Sequence, residues 1–367
     1  MLTEMRDFGP TLCVAALLIA ACLPAGADLA GARYAHTTTL LPNGGLLVYG
    51  GLGTGYGFLS RGELLDEAGV PVCLAPFFHK ARAFHTATSL RDGAVLIAGG
   101  FMLPYSTSRT AELYDGNRFV FITNCMSVPR ELHAATLLDD GRVLITGGFI
   151  GGVRSVAECD LFDPSTRRFT AAFAMHQSRF GHAATLLNDG RVLLSGGTVF
   201  PGERTLASAE IYSPTTGRFE QAPPMCADRS RHTATLLQDG RVLITGGYSA
   251  SEGLQLASTE VFDPVTGQFS PGPPMSLRRM DHQATLLPNG RVLITGGLSG
   301  EGGAHTIAEC EMFRTASGDF VPAGELIAPV HEHQATLLAS GEVLVTGGMV
   351  VSGERHRAVP LAQVIEP

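Results

Sequence analysis

The stretch His232-Thr-Ala-Thr-Leu-Leu-Gln-Asp-Gly-Arg-Val-Leu-Ile-Thr-Gly-Gly247 decides the fold. Two short apolar runs rich in β-formers flank the dipeptide Asp239-Gly240, the strongest local hairpin signal, and the spacing predicts a tight type I′ turn with positive φ at both central residues. The pair is apolar on both faces, with Ala234 and Leu236 on one and Leu237 on the other, as expected of strands sandwiched between neighbouring sheets. A third strand follows at Thr259-Glu-Val-Phe-Asp263, and Pro264-Val-Thr-Gly267 turns the chain into a shorter, more polar fourth strand near Gln268-Phe269.

This unit is repeated. Gly141-Arg-Val-Leu-Ile-Thr-Gly-Gly148 recurs unchanged at 240–247 and 290–297, with close variants ending at Gly51, Gly100, Gly197 and Gly348. A histidine opens each copy, at His36, His85, His133, His182, His232, His282 and His333, with steps of 49, 48, 49, 50, 50 and 51 residues. A period near 50 is that of propeller blades, so residues 33–367 are expected to form one domain: an all-β, seven-bladed β-propeller of four-stranded antiparallel blades. The seventh unit stops at its third strand, Ala362-Gln-Val-Ile-Glu-Pro367. Its last blade is therefore three-stranded or completed from the N-terminus, where counting back from His36 lands on Leu23.

Composition agrees: 45% of residues are hydrophobic, only 16% charged, and 45 glycines and 21 prolines supply turns. A net charge of −8 with no basic run longer than Arg167-Arg168 or Arg278-Arg279 argues against nucleic acid as a partner. Thr11 to Leu23 is an apolar stretch of 13 residues, too short to span a bilayer and of the length of an export-signal core. Two processing routes are open. Ala25-Gly26-Ala27 offers a signal-peptidase site, making 1–27 the signal, whereas Ile19-Ala20-Ala21-Cys22 has the form of a lipobox, with 1–21 removed and Cys22 lipidated. Only the second would give a membrane attachment, and either places the chain outside the cytoplasm, in the periplasm, secreted, or on the outer membrane. Cys73, Cys125, Cys159, Cys226 and Cys310 include no CxxC pair. Buried free thiols are expected, with Cys73 and Cys125 placed so that they could pair.

The Arg-x-x-His start, the Gly-Gly doublet and the ending Phe262-Asp-Pro-Val-Thr-Gly-Gln-Phe269 resemble kelch repeats, in particular those of bacterial galactose-oxidase-like proteins. The aromatic that closes each repeat, usually Trp in that family, is here Phe119, Phe169, Phe219, Phe269 and Phe320, and the chain has no Trp.

The order of strands puts every repeat histidine, every Gly-Gly doublet and every loop between second and third strands on one side of the disc, the expected binding face. The histidines repeat by symmetry and cannot converge on one ion; each is expected to be structural, bonded to backbone inside its own blade. The arginines three residues earlier are expected to pair with blade carboxylates such as Glu210 and Glu260. Function is sought where repeats differ. In proteins this chain resembles, the residue just before the histidine looks into the central pocket, which nominates Phe84, Arg231, Asp281 and Glu332 as ligand-binding. Loop residues Tyr105, Arg109, Arg154, Arg204, Tyr248 and Arg355 add aromatic and cationic contacts.

The resemblance also brings copper into view, since galactose oxidase holds copper with tyrosines, histidines and a Tyr-Cys crosslink. Here Tyr34 and His36 are separated by Ala35, and the domain that supplies a further ligand in that family has no counterpart in this sequence. No metal or other cofactor is expected. The expected function is an exported monomeric module that binds a glycan, peptide or partner protein. The alternative is a carbohydrate-active enzyme, a sugar epimerase or oxidase-like protein, with Asp281, Glu332 or His331 as acid and base at the channel mouth.

Overall fold

The computed structural model describes residues 28–75, 80–103, 106–300 and 304–367. The segment 1–27 with Cys22 and Leu23, and the loop residue Tyr105, lie outside the described residues. Seven main sheets follow in chain order, the first six four-stranded and the last three-stranded among the described residues. In the fifth blade the strands are Thr233–Leu236, Val242–Thr245, Thr259–Asp263 and Gln268–Pro271, each antiparallel to the next. Innermost strands of consecutive blades touch, and Thr37–Leu40 of the first lies against Gln334–Leu337 of the last, which closes the ring. No helix among the described residues is long and apolar enough to cross a membrane.

The second strand of every blade, such as Val143–Thr146 or Val292–Thr295, is buried at all four positions because a neighbouring sheet covers each face. The closing aromatics complete these seams despite the missing tryptophans. Phe219 packs against Tyr212 with ring centroids 4.9 Å apart and joins a cluster with Val192 of its own blade and with Leu144 and Leu161 of the blade before.

The inner hairpins differ from the predicted type I′ geometry. Gly240 alone is left-handed at the tip (φ 87°), Gly240 N–H donates to Leu237 O, and Leu237 N–H donates to Arg241 O, so the loop is three residues long. This is a type I turn followed by a left-handed glycine. Asp239 earns its place differently, by accepting from the Arg241 amide at 3.0 Å and from its guanidinium at 2.9 Å and 2.7 Å.

Three repeat residues weld the blades. Arg229 is fully buried, donates to Gly246 O at 2.7 Å and to Glu260 Oε1 at 2.8 Å, and the same carboxylate accepts the Cys226 and Ala227 amides. The pairs Arg82–Glu112, Arg130–Asp160, Arg179–Glu210 and Arg279–Glu311 repeat this, as does Arg33 with Glu63. In the last unit Val330 replaces the arginine and Gln363 the carboxylate, and Gln363 Oε1 still accepts an amide, from Ile327. The histidines depart from expectation: their partner is not backbone of their own blade but a hydroxyl of the preceding one. His182 Nε2 meets Thr146 Oγ1 at 3.0 Å, His232 meets Ser195 at 2.9 Å, and His36 meets Thr346 at 3.1 Å across the closure. The first glycine of each doublet permits this approach. A Cβ on Gly196 would lie 2.3 Å from Arg229 O and 2.8 Å from His232 Cε1.

At the closure, Leu29 N–H donates to Pro360 O and Arg33 N–H to Val359 O, the same track by which Met175 and Arg179 donate to Ala157 and Val156. The five cysteines among the described residues are all free. Only Cys159 and Cys310 are buried, whereas Cys73, on an outer strand, and Cys226, in a linker, are exposed and Cys125 is half-buried.

Candidate binding site at the channel mouth

The residue before each repeat histidine is left-handed in all seven blades, with φ between 51° and 60°. This turn swings the chain from the linker into the innermost strand. It also aligns the backbone so that each such residue donates its N–H to the carbonyl of its counterpart one blade back. Phe84 donates to Ala35, Leu132 to Phe84, Gly181 to Leu132, Arg231 to Gly181, Asp281 to Arg231, Glu332 to Asp281, and Ala35 to Glu332 at 3.3 Å. A closed girdle of seven hydrogen bonds thus surrounds the axis. Six of its members are non-glycine residues held in a sparsely populated conformation, a concentration of backbone strain at one ring.

Three girdle side chains form a charged pole. Arg231 Nη1 lies 3.0 Å from Asp281 Oδ2 and 3.9 Å from Glu332 Oε1, and His331 Nδ1 stands 3.9 Å from Asp281 Oδ2. Burial opposes the ionised form of Asp281, but the Arg231 guanidinium and His331 overcome it and hold this carboxyl below the ordinary range. Glu332 goes the other way. Burial first, and then the charge of Asp281, push it up towards a protonated form at neutral pH. Glu332 Oε2 and both ring nitrogens of His331 are buried without a hydrogen-bond partner.

Asp281, His331 and Glu332 offer ligand atoms within 4.8 Å of one another, close enough to suggest a cation site. The guanidinium of Arg231 already supplies the cation at that place, and a metal ion would be driven against it. The copper set implied by the resemblance does not fit either. His36 spends Nε2 on Thr346 and is buried in the seam, Tyr34 is separated from it by Ala35, and no described cysteine borders the mouth.

The other side of the mouth is aromatic. A cavity of about 790 Å³ is lined by Phe84, Leu132, Arg231 and Glu332 of the girdle together with Phe101, Phe149, Phe180 and Glu131. It shares Phe149, Phe180 and Arg231 with a second cavity of about 500 Å³ that runs over Phe200 and Tyr248 to Met280. Phe149 lies at the centre of this wall, 4.9 Å from the Phe180 ring centroid and 5.3 Å, edge-on, from that of Phe200. Glu131 is 7% exposed, and burial alone raises its carboxyl to about 7.

Two stretches, residues 179–225 and 229–276, match the family model of the Kelch motif. Among solved structures, a fungal alcohol oxidase of the AA5 family in complex with copper superposes with a TM-score of 0.74 at 15% identity, covering 94% of this chain and 76% of the other. The structure of YjhT superposes with a TM-score of 0.62 at 14% identity, covering 79% of this chain and 95% of the other. In fold the chain is a β-propeller, and the Kelch motif is matched over those two stretches. No curated protein matches it in sequence. The kelch propeller is in general a protein-interaction module; at these identities the two structures establish the fold alone.

On this propeller the residues nominated from sequence divide cleanly. Phe84, Arg231 and Glu332 line the larger cavity, Asp281 pairs with Arg231 beside it, and Tyr248 lines the smaller one. Arg109, Arg204 and Arg355 are exposed and line neither cavity, and Arg154 is turned to Glu158, 2.5 Å and 3.0 Å away. Arg154, Arg204 and Arg355 sit outside the mouth because their loops fold back as short ribbons such as Phe149–Ile150 with Arg154–Ser155, which place these arginines near the ribbon tips, and Arg109 lies beyond the return strand Ser106–Thr107 of its own ribbon. Sequence reasoning missed Glu131, Phe180 and Met280, two residues before the histidine, and Phe101 and Phe149, directly after the doublet. The signal was present, because these two positions pair across each blade, as in Glu131 with Phe149 and Phe180 with Thr198, and form a second variable ring outside the first.

Proposed function

We propose that this propeller is an exported binding module that takes a glycan into the cavity at its channel mouth. The observation that carries the reading is the joining, in one cavity of about 790 Å³, of an aromatic wall with a charged pole. Phenyl faces accept the apolar faces of sugar rings, while fixed carboxylates and a guanidinium pair with ring hydroxyls. The apolar segment 11–23 supports export. The test is a glycan array on the mature protein followed by calorimetry on the hits. Phe149→Ala and Arg231→Ala are each expected to weaken binding at least about tenfold while Arg355→Ala leaves it unchanged. An array without hits, or hits insensitive to both mouth variants, would overturn the reading.

The second reading, a carbohydrate-active enzyme, is favoured by one feature: Asp281 and Glu332 are neighbours whose surroundings drive their carboxyls in opposite directions, one down and kept ionised, the other up to about 7. Such a pair can take a proton at one point of a bound sugar and return it at another. Anomer or epimer interconversion of an array hit, followed by NMR and abolished in Glu332→Gln, would establish it.

A further inference from the structure

Within the larger cavity one spot is built differently from the rest. A Cβ on Gly151 would lie 3.3 Å from Thr107 Oγ1, 3.4 Å from Glu131 Oε1 and 4.0 Å from Phe101 Cε2, so a hydroxyl, a carboxylate and a phenyl ring converge on a tight niche over Gly151 that a methyl would already crowd. Gly151 is not left-handed, so the backbone does not require glycine there. Thr107 Oγ1 already accepts the Gly151 amide at 2.9 Å, which fixes the hydroxyl at the rim. Glu131 is held by its backbone, which exchanges two hydrogen bonds with Phe149. Its side chain has no hydrogen bond or ion pair among the described residues, although it is nine-tenths buried. A buried carboxylate left without a counter-ion is costly, and a cation delivered by a ligand removes that cost.

The surrounding charges admit a cation. Among the described residues Arg231 is the one basic group lining this cavity, and its charge is already met by Asp281 and Glu332, so the mouth as a whole does not repel an ammonium. The Phe101 ring borders the niche through Cε2. We propose that the niche at Gly151 seats the protonated primary amine of an amino sugar, with Glu131 as its counter-ion and Thr107 as a second acceptor. This rests on the glycan reading above and narrows its ligand class. Burial holds Glu131 near neutrality, so a bound ammonium draws its proton off and binding near pH 6 releases a proton to the buffer. Among the described residues, Glu332 and Arg231 are the other titratable groups lining the cavity, and Asp281 pairs with Arg231.

The experiment compares, on the full mature chain, four oligosaccharides of similar length: fully deacetylated chitosan tetramer, its N-acetylated form, cellotetraose and tetragalacturonate. The chitosan tetramer is expected to bind about tenfold tighter than cellotetraose, as a charge-assisted hydrogen bond would give. Glu131→Gln, which keeps the shape and removes the charge, and Gly151→Ala, which fills the niche, are expected to bring the ratio of chitosan-tetramer to cellotetraose affinity down to about one. Melting curves of both variants establish that they are folded. Equal binding of chitosan tetramer and cellotetraose, a preference for tetragalacturonate, or a preference that survives Glu131→Gln would overturn the amine seat and leave the glycan reading standing. Binding of none of the four would overturn both.

Discussion

At the scale of single residues, the Gly-Gly doublet carries two separable demands, and two glycines of this chain separate them. Gly196 (φ 61°) and Gly253 (φ 70°) are both left-handed, but a Cβ on Gly196 would strike the Arg229 carbonyl and the His232 ring, whereas one on Gly253 would meet nothing within 4 Å. Gly253→Ala is therefore expected to cost only the conformational term, about 1 kcal/mol. Gly196→Ala adds the overpacking of a seam and is expected to cost roughly 3 kcal/mol or more. Urea denaturation of the two variants checks this, and equal losses would show that close approach contributes nothing. The girdle positions were legible in the sequence because they vary at a fixed offset from an invariant histidine. Glu131 and Phe149 were not, because their offsets matter only once the bridge between the two positions is known.

Among elements, the inner hairpins and the third strands could be read from their repeated patterns, and the outermost strands of the fourth and fifth blades from the Pro-x-Thr-Gly turns at 214–217 and 264–267. The rim ribbons escaped detection for a physical reason: two-residue strands such as Tyr248–Ser249 with Leu254–Gln255 are too short to show a period of two. What joins one element to the next is the histidine–hydroxyl contact, and it makes a prediction about pH. Burial first, and then neighbouring arginines, lower His182 to about 3, and burial likewise leads in lowering His282 and His333 to about 3. His36, His85, His133 and His232 are also held well below the ordinary value. In the unfolded chain each takes up a proton near pH 6.5, so the unfolded state binds more protons below that pH and stability falls as pH drops from 6.5 towards 3. Glu131 and Glu332, raised by burial, act in the opposite sense, but the seven histidines outnumber them. Each uncompensated histidine contributes about 1.4 kcal/mol per pH unit. Unfolding free energies in urea at pH 7, 6 and 5 are expected to fall with a slope of several protons, and a flat profile would contradict neutral imidazoles in the seams.

For the whole molecule, the question is whether seven similar blades behave as an array or as a closed unit. An open array of repeats loses stability locally, because each repeat feels only its neighbours. Here the girdle joins all seven blades in one cycle of backbone hydrogen bonds. The seam between the last blade and the first is the one that the chain does not cross as a linker. It is held by the Leu29 and Arg33 amides, His36 with Thr346, and Thr38 Oγ1 with Thr346 Oγ1 at 2.7 Å. Gly347→Ala would press a methyl to 2.5 Å from both Arg33 O and His36 Cε1, loosening that seam alone. If the ring is cooperative, opening there releases the strain that left-handed residues store around the axis. Amide exchange should then quicken at Ala35 and Glu332 beside the seam and also at Leu132, Gly181 and Arg231 across the disc. In the parent protein all seven girdle amides are expected to exchange only through global unfolding, although they border a solvent-filled mouth. Exchange that quickens only in the first and last blades would mean that the girdle records the symmetry of the fold without contributing to its cooperativity.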